Sequence, residues 1–156
     1  MQTCPERPTP PNWHDDLRLG FAPMDATHEE FFCVVDALVA APEAAVADAL
    51  AAVHAHSREH FADEERWMEE TGFPAAECHR NEHAAVLASM DGVERKVAAG
   101  DVEAARRLAR ALTDWFPGHA DYLDSALAHW MCKRTMGGKP VVLRRRKVES
   151  ATAAAA

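Results

Sequence analysis

Histidines and acidic residues recur along this chain in four groups whose internal spacing suits a helix. Two of these groups are pairs four residues apart, which places both side chains on one face, about 40° apart around the helix axis. A bundle that turned all four groups inward would hold more polarity than an ordinary core, which predicts a metal site, with two ions as the favoured number. The groups are His28, then His60 with Glu64, then His79 with His83, then His119 with Asp121 or Asp124.

Helix signals divide the chain into four segments. Pro42 disfavours helical geometry in the residue before it, Gly72 and Gly100 suit the position just after a helix, and Asp101 suits the position that caps one. Short links between long helices favour antiparallel neighbours, so we expect an all-α, up-down-up-down four-helix bundle. The predicted helices cover residues 24–40, 43–71, 75–99 and about 101–134.

Composition sets the class of protein. With 156 residues and 48% hydrophobic content, the chain is long enough for one domain with a real core. The N-terminus has no apolar run typical of a secretory signal, and no segment is apolar enough to span a bilayer. Four widely spaced cysteines without a Cys-x-x-Cys motif suit a reducing compartment. We therefore expect a cytoplasmic protein that is not transmembrane.

The order and spacing of the histidine groups resemble the hemerythrins, and specifically their single-domain bacterial forms. That family has a lone His on the first helix, His-x-x-x-Glu on the second, His-x-x-x-His on the third and His-x-x-x-x-Asp on the fourth. The matching segments are Met24-Asp25-Ala26-Thr27-His28, His60-Phe61-Ala62-Asp63-Glu64, His79-Arg80-Asn81-Glu82-His83, and Trp115 ahead of His119. The resemblance covers roughly residues 13–130.

The resemblance implies a centre of two non-haem iron ions bridged by oxide or hydroxide, with dioxygen as the ligand. By this resemblance, five imidazoles, two bridging carboxylates and the bridging oxide or hydroxide would leave one coordination position of the two irons open, where dioxygen can bind. The implied ligands are His79, His83 and His119 on one iron, His28 and His60 on the other, and Glu64 and Asp124 as bridges.

The expected function is reversible dioxygen binding for storage, delivery or sensing, without catalysis. Five imidazoles and two carboxylates make a site less electron-rich than the carboxylate-rich di-iron enzymes, which favours binding oxygen over cleaving it. Two alternatives stay open: a di-iron enzyme, such as a peroxidase, nitric-oxide reductase or ferroxidase, and a module that stores or senses iron.

Several neighbouring residues compete with the implied ligands. His56 lies four residues before His60 and so has ligand spacing too, whereas Glu65 is rotated about 140° away from the His60 face. Spacing alone does not select Asp124 over Asp121, and the resemblance does. Three other histidines are expected to be solvated or capping residues: His14, His54 and His129.

Pro117 interrupts the predicted fourth helix two residues before His119. A proline inside a helix loses one backbone hydrogen bond and kinks the helix, at a cost of about 3 kcal/mol. Alternatively, Pro117 could begin a new helix, since proline suits the first helical position. We favour the kink.

The two ends of the chain differ from the bundle. Residues 1–22 are expected to form a proline-rich arm whose Trp13 packs on the bundle. Residues 23–136 are expected to form the bundle itself, and residues 137–156 a basic, alanine-rich tail. Residues 133–149 hold seven basic side chains against one glutamate, so this stretch carries +6 and residues 1–132 carry −14 of the net −8. The tail could dock on an anionic surface or partner, such as an oxygen-consuming enzyme, although folding back on the acidic bundle is favoured. Binding to nucleic acid is not expected for so acidic a domain.

Overall fold

Four long helical rods make up the part of the chain that the computed structural model describes, residues 9–135 and 137. Consecutive rods pack side by side, and the first closes the ring against the fourth. Because the links are short, neighbouring rods run antiparallel, and the predicted all-α four-helix bundle is confirmed. The helices are α1 (Ala22–Ala40), α2 (Val46–Thr71), α3 (Ala76–Ala98), α4 (Glu103–His119) and α5 (Ser125–Thr135), and a π-helical turn, Ala120–Asp124, joins α4 to α5 in one rod.

The helix ends follow the signals in the sequence. Ala41, just before Pro42, is extended with ψ of 133°, and Gly72 takes the left-handed conformation with φ of 64°. The Asp101 carboxylate accepts a hydrogen bond from the Ala104 N–H at 3.1 Å and so satisfies one of the unpaired donors at the start of α4. One predicted boundary is wrong: residues Glu43–Ala45 form a 3₁₀ turn, and α2 begins only at Val46.

The fourth rod runs through Pro117 without a break. Helix α4 extends from Glu103 to His119 with Pro117 inside it, so the alternative of a helix start at Pro117 is wrong. Pro117 and Gly118 are both exposed, so the proline ring lies on the side of the helix that faces away from the core. A kink at this point stays a prediction.

The apolar core is divided into two clusters with a polar layer between them. On α1, for example, Phe32 and Val35 belong to one cluster and Met24 to the other, with His28 between them. On the fourth rod, Phe116 and Leu127 flank the polar layer in the same way. Most of the buried polar residues of the bundle therefore lie at one level, between the two apolar clusters.

The N-terminal arm packs on this bundle where the structure describes it. Trp13 is buried, and its ring centroid lies 5.9 Å from that of Phe32, as predicted. The Asn12 amide donates a hydrogen bond to the Asp36 carboxylate at 2.6 Å and ties the arm to α1. The first eight residues, Met136 and residues 138–156, with nearly all of the predicted basic tail, lie outside the described residues. Within the described part, no helix combines the length and apolarity needed to cross a membrane.

We expect Gly118→Ala to raise the free energy of unfolding by about 0.5–1 kcal/mol. Gly118 is helical and exposed, and a Cβ added there meets no heavy atom within 4 Å. Alanine would therefore restrict the unfolded chain without a clash in the folded one. Urea denaturation at a fixed metal content measures the change. The matched control is Gly72→Ala, which should lower the free energy of unfolding, because φ of 64° strains any residue with a Cβ.

Candidate metal centre

The four rods bring all seven predicted ligands into one buried layer. Each of these side chains is at most 3% exposed. We call this set the seven-residue cluster: His28 on α1, His60 and Glu64 on α2, His79 and His83 on α3, His119 on α4, and Asp124 in the π-turn. Such a concentration of polar groups in a core requires compensating interactions, since burying an unpaired polar group costs free energy.

Glu64 lies between two groups of histidines, and each of its oxygens faces a different group. Its Oε1 is 2.8 Å from His60 Nε2 and 3.5 Å from His28 Nε2. Its Oε2 is 3.2 Å from Nε2 of both His79 and His83. This arrangement is the one that a carboxylate bridging two ions requires.

Asp124 repeats this division from the opposite side. Its Oδ2 is 3.3 Å from His28 Nε2, whereas its Oδ1 is 3.0 Å from His79 Nε2 and 3.1 Å from His119 Nε2. Two carboxylates therefore separate the same two sets of imidazoles. One set contains His28 and His60, and the other contains three histidines: His79, His83 and His119.

The π-turn explains how His119 and Asp124 meet at a spacing of five residues. In an α-helix, residues five apart are rotated about 140° from each other, but a π-turn closes its hydrogen bond over five residues instead of four. The extra residue places Asp124 beneath His119. Asp121 is exposed on the outer side of the same turn. The alternative ligand Asp121 is therefore turned away from the cluster.

Several buried atoms of the cluster lack hydrogen bonds, which fits a site built for cations. Polar atoms in protein interiors are hydrogen-bonded in the great majority of cases. Apart from the hydrogen bond that His60 Nε2–H donates to Glu64 Oε1 at 2.8 Å, the imidazole nitrogens and carboxylate oxygens approach each other at 3.0–3.5 Å without hydrogen-bond geometry, as expected of atoms aimed at a shared centre. Among the described residues, the unpaired inner atoms are His28 Nε2, His79 Nε2, His83 Nε2, His119 Nε2, Glu64 Oε2, Asp124 Oδ1 and Asp124 Oδ2.

The electrostatics of the cluster also favour positive charge. Burial alone would lower the pKa of His28 and His79, but contacts with Asp124 and Glu64 raise the pKa of each to about 9. Burial alone would raise the pKa of Glu64, whereas the surrounding histidines hold it well below its usual range. The two carboxylates thus draw protons onto the imidazoles, and metal ions could supply the same positive charge in place of those protons.

Two further acids contact the outer nitrogens of the cluster. His119 Nδ1–H donates to Glu82 Oε1 at 3.0 Å, and His83 Nδ1–H donates to Glu65 Oε1 at 3.3 Å. Partial burial would raise the pKa of Glu82, but the bonds from His119 and Trp115 lower it. Glu82 was not among the site residues predicted from the sequence. Its position just before His83 and three residues after His79 was the available signal, but nothing in the sequence linked it to His119 on another helix.

Aromatic rings enclose the cluster. Phe61 stacks on His83 with ring centroids 3.9 Å apart and planes 7° apart, and Phe116 meets His28 edge-on at 4.8 Å. Phe31 packs on Phe116 at 5.4 Å and approaches His60. Phe31, Phe61 and Phe116 are at most 1% exposed. Their rings hold the imidazoles in place and keep water out of the layer.

His56 lies beside the cluster but points to the backbone. Its Nε2–H donates to the Thr27 carbonyl at 3.2 Å, and its ring is 6.0 Å from that of His60. Burial and the neighbouring His60 lower the pKa of His56 to about 4, so the side chain is neutral. These contacts give His56 a structural role outside the group of candidate ligands.

We expect His56→Ala to leave two-iron loading intact and to lower the free energy of unfolding by about 1 kcal/mol, the usual value of one lost hydrogen bond. The matched variant His83→Ala should abolish two-iron loading, because His83 Nε2 faces Glu64. Iron and protein concentrations measured on the loaded, desalted variants give the ratio. Loss of iron from His56→Ala to the same extent as from His83→Ala would assign His56 to the site.

The expectation for His54 is wrong. His54 is only 4% exposed, and its Nδ1–H donates to Glu94 Oε1 at 2.7 Å. It forms a third group of potential ligands with Asp91 and Glu94. However, Arg58 Nε–H donates to His54 Nε2 at 3.1 Å, which occupies the second ring nitrogen and brings a positive charge there. Both ring nitrogens of His54 therefore have hydrogen-bond partners, whereas several buried atoms of the seven-residue cluster have none in the described part of the chain. By contrast, His14 and His129 are exposed, as predicted.

Comparison with known proteins agrees with this geometry. The family profile of the Hemerythrin HHE cation binding domain matches residues 19–130. A bacteriohemerythrin from Ralstonia nicotianae is 43% identical over 122 residues, covering 78% of this chain and 89% of that protein. A bacteriohemerythrin from Stenotrophomonas maltophilia is 28% identical and covers 74% of this chain and 78% of its own length. A myohemerythrin from Riftia pachyptila is also 28% identical, over 76% of this chain and 92% of that protein.

Proposed function

Because this chain belongs to the hemerythrin family, we propose that it binds dioxygen reversibly at a non-haem di-iron centre. In this proposal the ligands are the seven-residue cluster. His79, His83 and His119 would hold one ion and His28 and His60 the other, with Glu64 and Asp124 between them and an oxide or hydroxide as a further ligand.

The observation that carries the proposal is the division of the donor atoms into two sets. Glu64 Oε1 faces His60 and Glu64 Oε2 faces His83, while the two oxygens of Asp124 separate His28 from His119 in the same way. A mononuclear site would need only one such set. Two sets that share both carboxylates fit a pair of ions.

Bound as ferrous ions, the two irons would supply the electrons and the open coordination position that dioxygen needs. The two carboxylates offset the charge of cations inside a dry layer, where uncompensated charge is costly. Five neutral imidazoles keep the site less electron-rich than a carboxylate-rich one, which favours binding over cleavage of the O–O bond.

The aromatic rings around the seven-residue cluster protect it from water and protons. Phe31, Phe61 and Phe116 are buried against the imidazoles, so they limit the access of water and protons to the layer. A site kept free of water and protons would protect bound ferrous iron from irreversible oxidation. The same rings therefore support reversible binding.

The proposal extends to the setting of the protein. We place it in the cytoplasm, where it would store dioxygen, deliver it to an oxygen-consuming enzyme or sense it. The basic segment 133–149 would bind either the acidic bundle or an anionic partner. Cys78 and Cys132 are thiols, which suits a reducing compartment. We also propose the division into an arm, residues 1–22, a bundle, residues 23–136, and a tail, residues 137–156.

Loading the metal-free protein with Fe(II) under anaerobic conditions, admitting oxygen and then removing it tests this function. We expect a stoichiometric colour that disappears on deoxygenation and returns on the next cycle. Rapid bleaching with consumption of peroxide or another substrate would instead indicate a di-iron enzyme. Failure to colour, with other metals bound equally well, would indicate a metal-storage or sensing module.

A further inference from the structure

The outer ring nitrogens, Nδ1, of the five cluster histidines differ in their hydrogen-bond partners. His119 Nδ1 and His83 Nδ1 each meet a carboxylate, at 3.0 Å from Glu82 and 3.3 Å from Glu65. The outer nitrogens of His28, His60 and His79 have no hydrogen-bond partner in the described part of the chain. Both carboxylate-backed histidines belong to the three-histidine set, so the asymmetry separates one proposed iron position from the other.

Glu82 is the better placed of the two acids. Its Oε1 accepts hydrogen bonds from His119 Nδ1–H at 3.0 Å and from Trp115 Nε1–H at 2.8 Å. The Trp115 ring also lies against the His119 ring, with centroids 4.4 Å apart. Glu82 lies on α3 and the other two on α4, so a single carboxylate oxygen links the two helices at the level of the cluster.

We infer that Glu82 is a positioning residue that fixes His119 with its Nε2 toward the metal and makes the iron of the three-histidine set the more electron-rich of the two. The inference rests on the proposed function, because it concerns the same iron centre. It gives the two irons different preferences for the ferric state.

The physical basis is the charge-assisted hydrogen bond. A carboxylate that accepts the Nδ1–H fixes the tautomer of the imidazole, so that the lone pair stays on Nε2. It also increases the negative charge density on the ring, which makes Nε2 a stronger donor. A stronger donor stabilises Fe(III) more than Fe(II), so removal of the carboxylate should favour the ferrous state and shift the midpoint potential in the positive direction.

The iron-loaded Glu82→Gln variant tests the inference, because glutamine keeps an acceptor oxygen and removes the charge. We expect the variant to retain two irons. Its preference for ferric over ferrous iron should fall about tenfold, which corresponds to a positive shift of about 59 mV in the one-electron midpoint potential. The spectroscopic change should be confined to one of the two irons. Iron affinity should fall by about 10- to 100-fold, as is usual for such partners of a metal ligand.

Two control variants distinguish the effect of the Glu82–His119 hydrogen bond from a general loss of negative charge and from loss of the Trp115 hydrogen bond. Glu77→Gln removes the same charge from an exposed position on α3, and Trp115→Phe removes the second hydrogen bond to Glu82 while keeping a ring beside His119. Both should leave the midpoint potential nearly unchanged. Equal shifts in Glu82→Gln and Glu77→Gln would overturn the inference, and so would a Trp115→Phe shift as large as that of Glu82→Gln.

A measurement without iron redox chemistry provides a second test. In the zinc-loaded protein, nitrogen NMR should show His119 protonated at Nδ1, with this proton slow to exchange with water, and Glu82→Ala should speed its exchange. The same exchange rate in both proteins would contradict the inference. Its failure differs from failure of the proposed function, because the wild-type chain would still hold two irons and bind oxygen.

Discussion

Glu64→Gln is expected to abolish two-iron loading and to leave at most one iron per chain. Glu64 is 1% exposed, and its two oxygens face His60 and His83 on opposite sides. Glutamine has nearly the same volume but no charge, and its amide nitrogen cannot replace the second ligand oxygen. The bridge between the two histidine sets is thereby lost. Iron analysis of the loaded protein, together with the loss of the oxygen-dependent colour, measures the effect.

The control for this variant is Glu59→Gln, on the exposed side of α2. It removes the same charge from the same helix, and it should load two irons as the wild-type chain does. Circular dichroism of both variants without metal checks that the helices persist. Two tightly bound irons in Glu64→Gln would show that the carboxylate does not bridge them.

Asp124→Asn is expected to have an effect of similar size, whereas Asp121→Asn is expected to have none. Asp124 is fully buried and contacts His28, His79 and His119 through its two oxygens. Asp121 is exposed on the other side of the π-turn. Iron-to-protein ratios of the two variants, loaded side by side without air, provide the comparison. Equal ratios for the two variants would contradict the assignment of Asp124 as a bridge.

The choice between Asp121 and Asp124 could not be made from helical periodicity, unlike the choice of the other ligands. The pairs His60 with Glu64 and His79 with His83 could be predicted from helical periodicity alone, because i and i+4 share a face in every α-helix. His119 and Asp124 could not, because their contact depends on a π-turn, which sequence periodicity does not reveal. Only the family resemblance selected Asp124.

Interactions between helices were the other part that the sequence did not predict. His54 on α2 is buried against Glu94 on α3, and Glu82 on α3 binds His119 on α4. Neither contact has a local pattern, since each depends on how two helices are rotated against each other. By contrast, the helix boundaries were close to the predicted ones, because Pro42, Gly72 and Asp101 act on their own neighbours in the chain. The hemerythrin family, predicted from the ligand spacing, is confirmed.

The most direct test is anomalous X-ray scattering at the iron edge from crystals of the iron-loaded protein. We expect two peaks inside the bundle, one among His79, His83 and His119 and one beside His28 and His60, both within bonding distance of Glu64 and Asp124. A single peak in this layer, or iron bound instead at His54, would contradict the proposed di-iron centre.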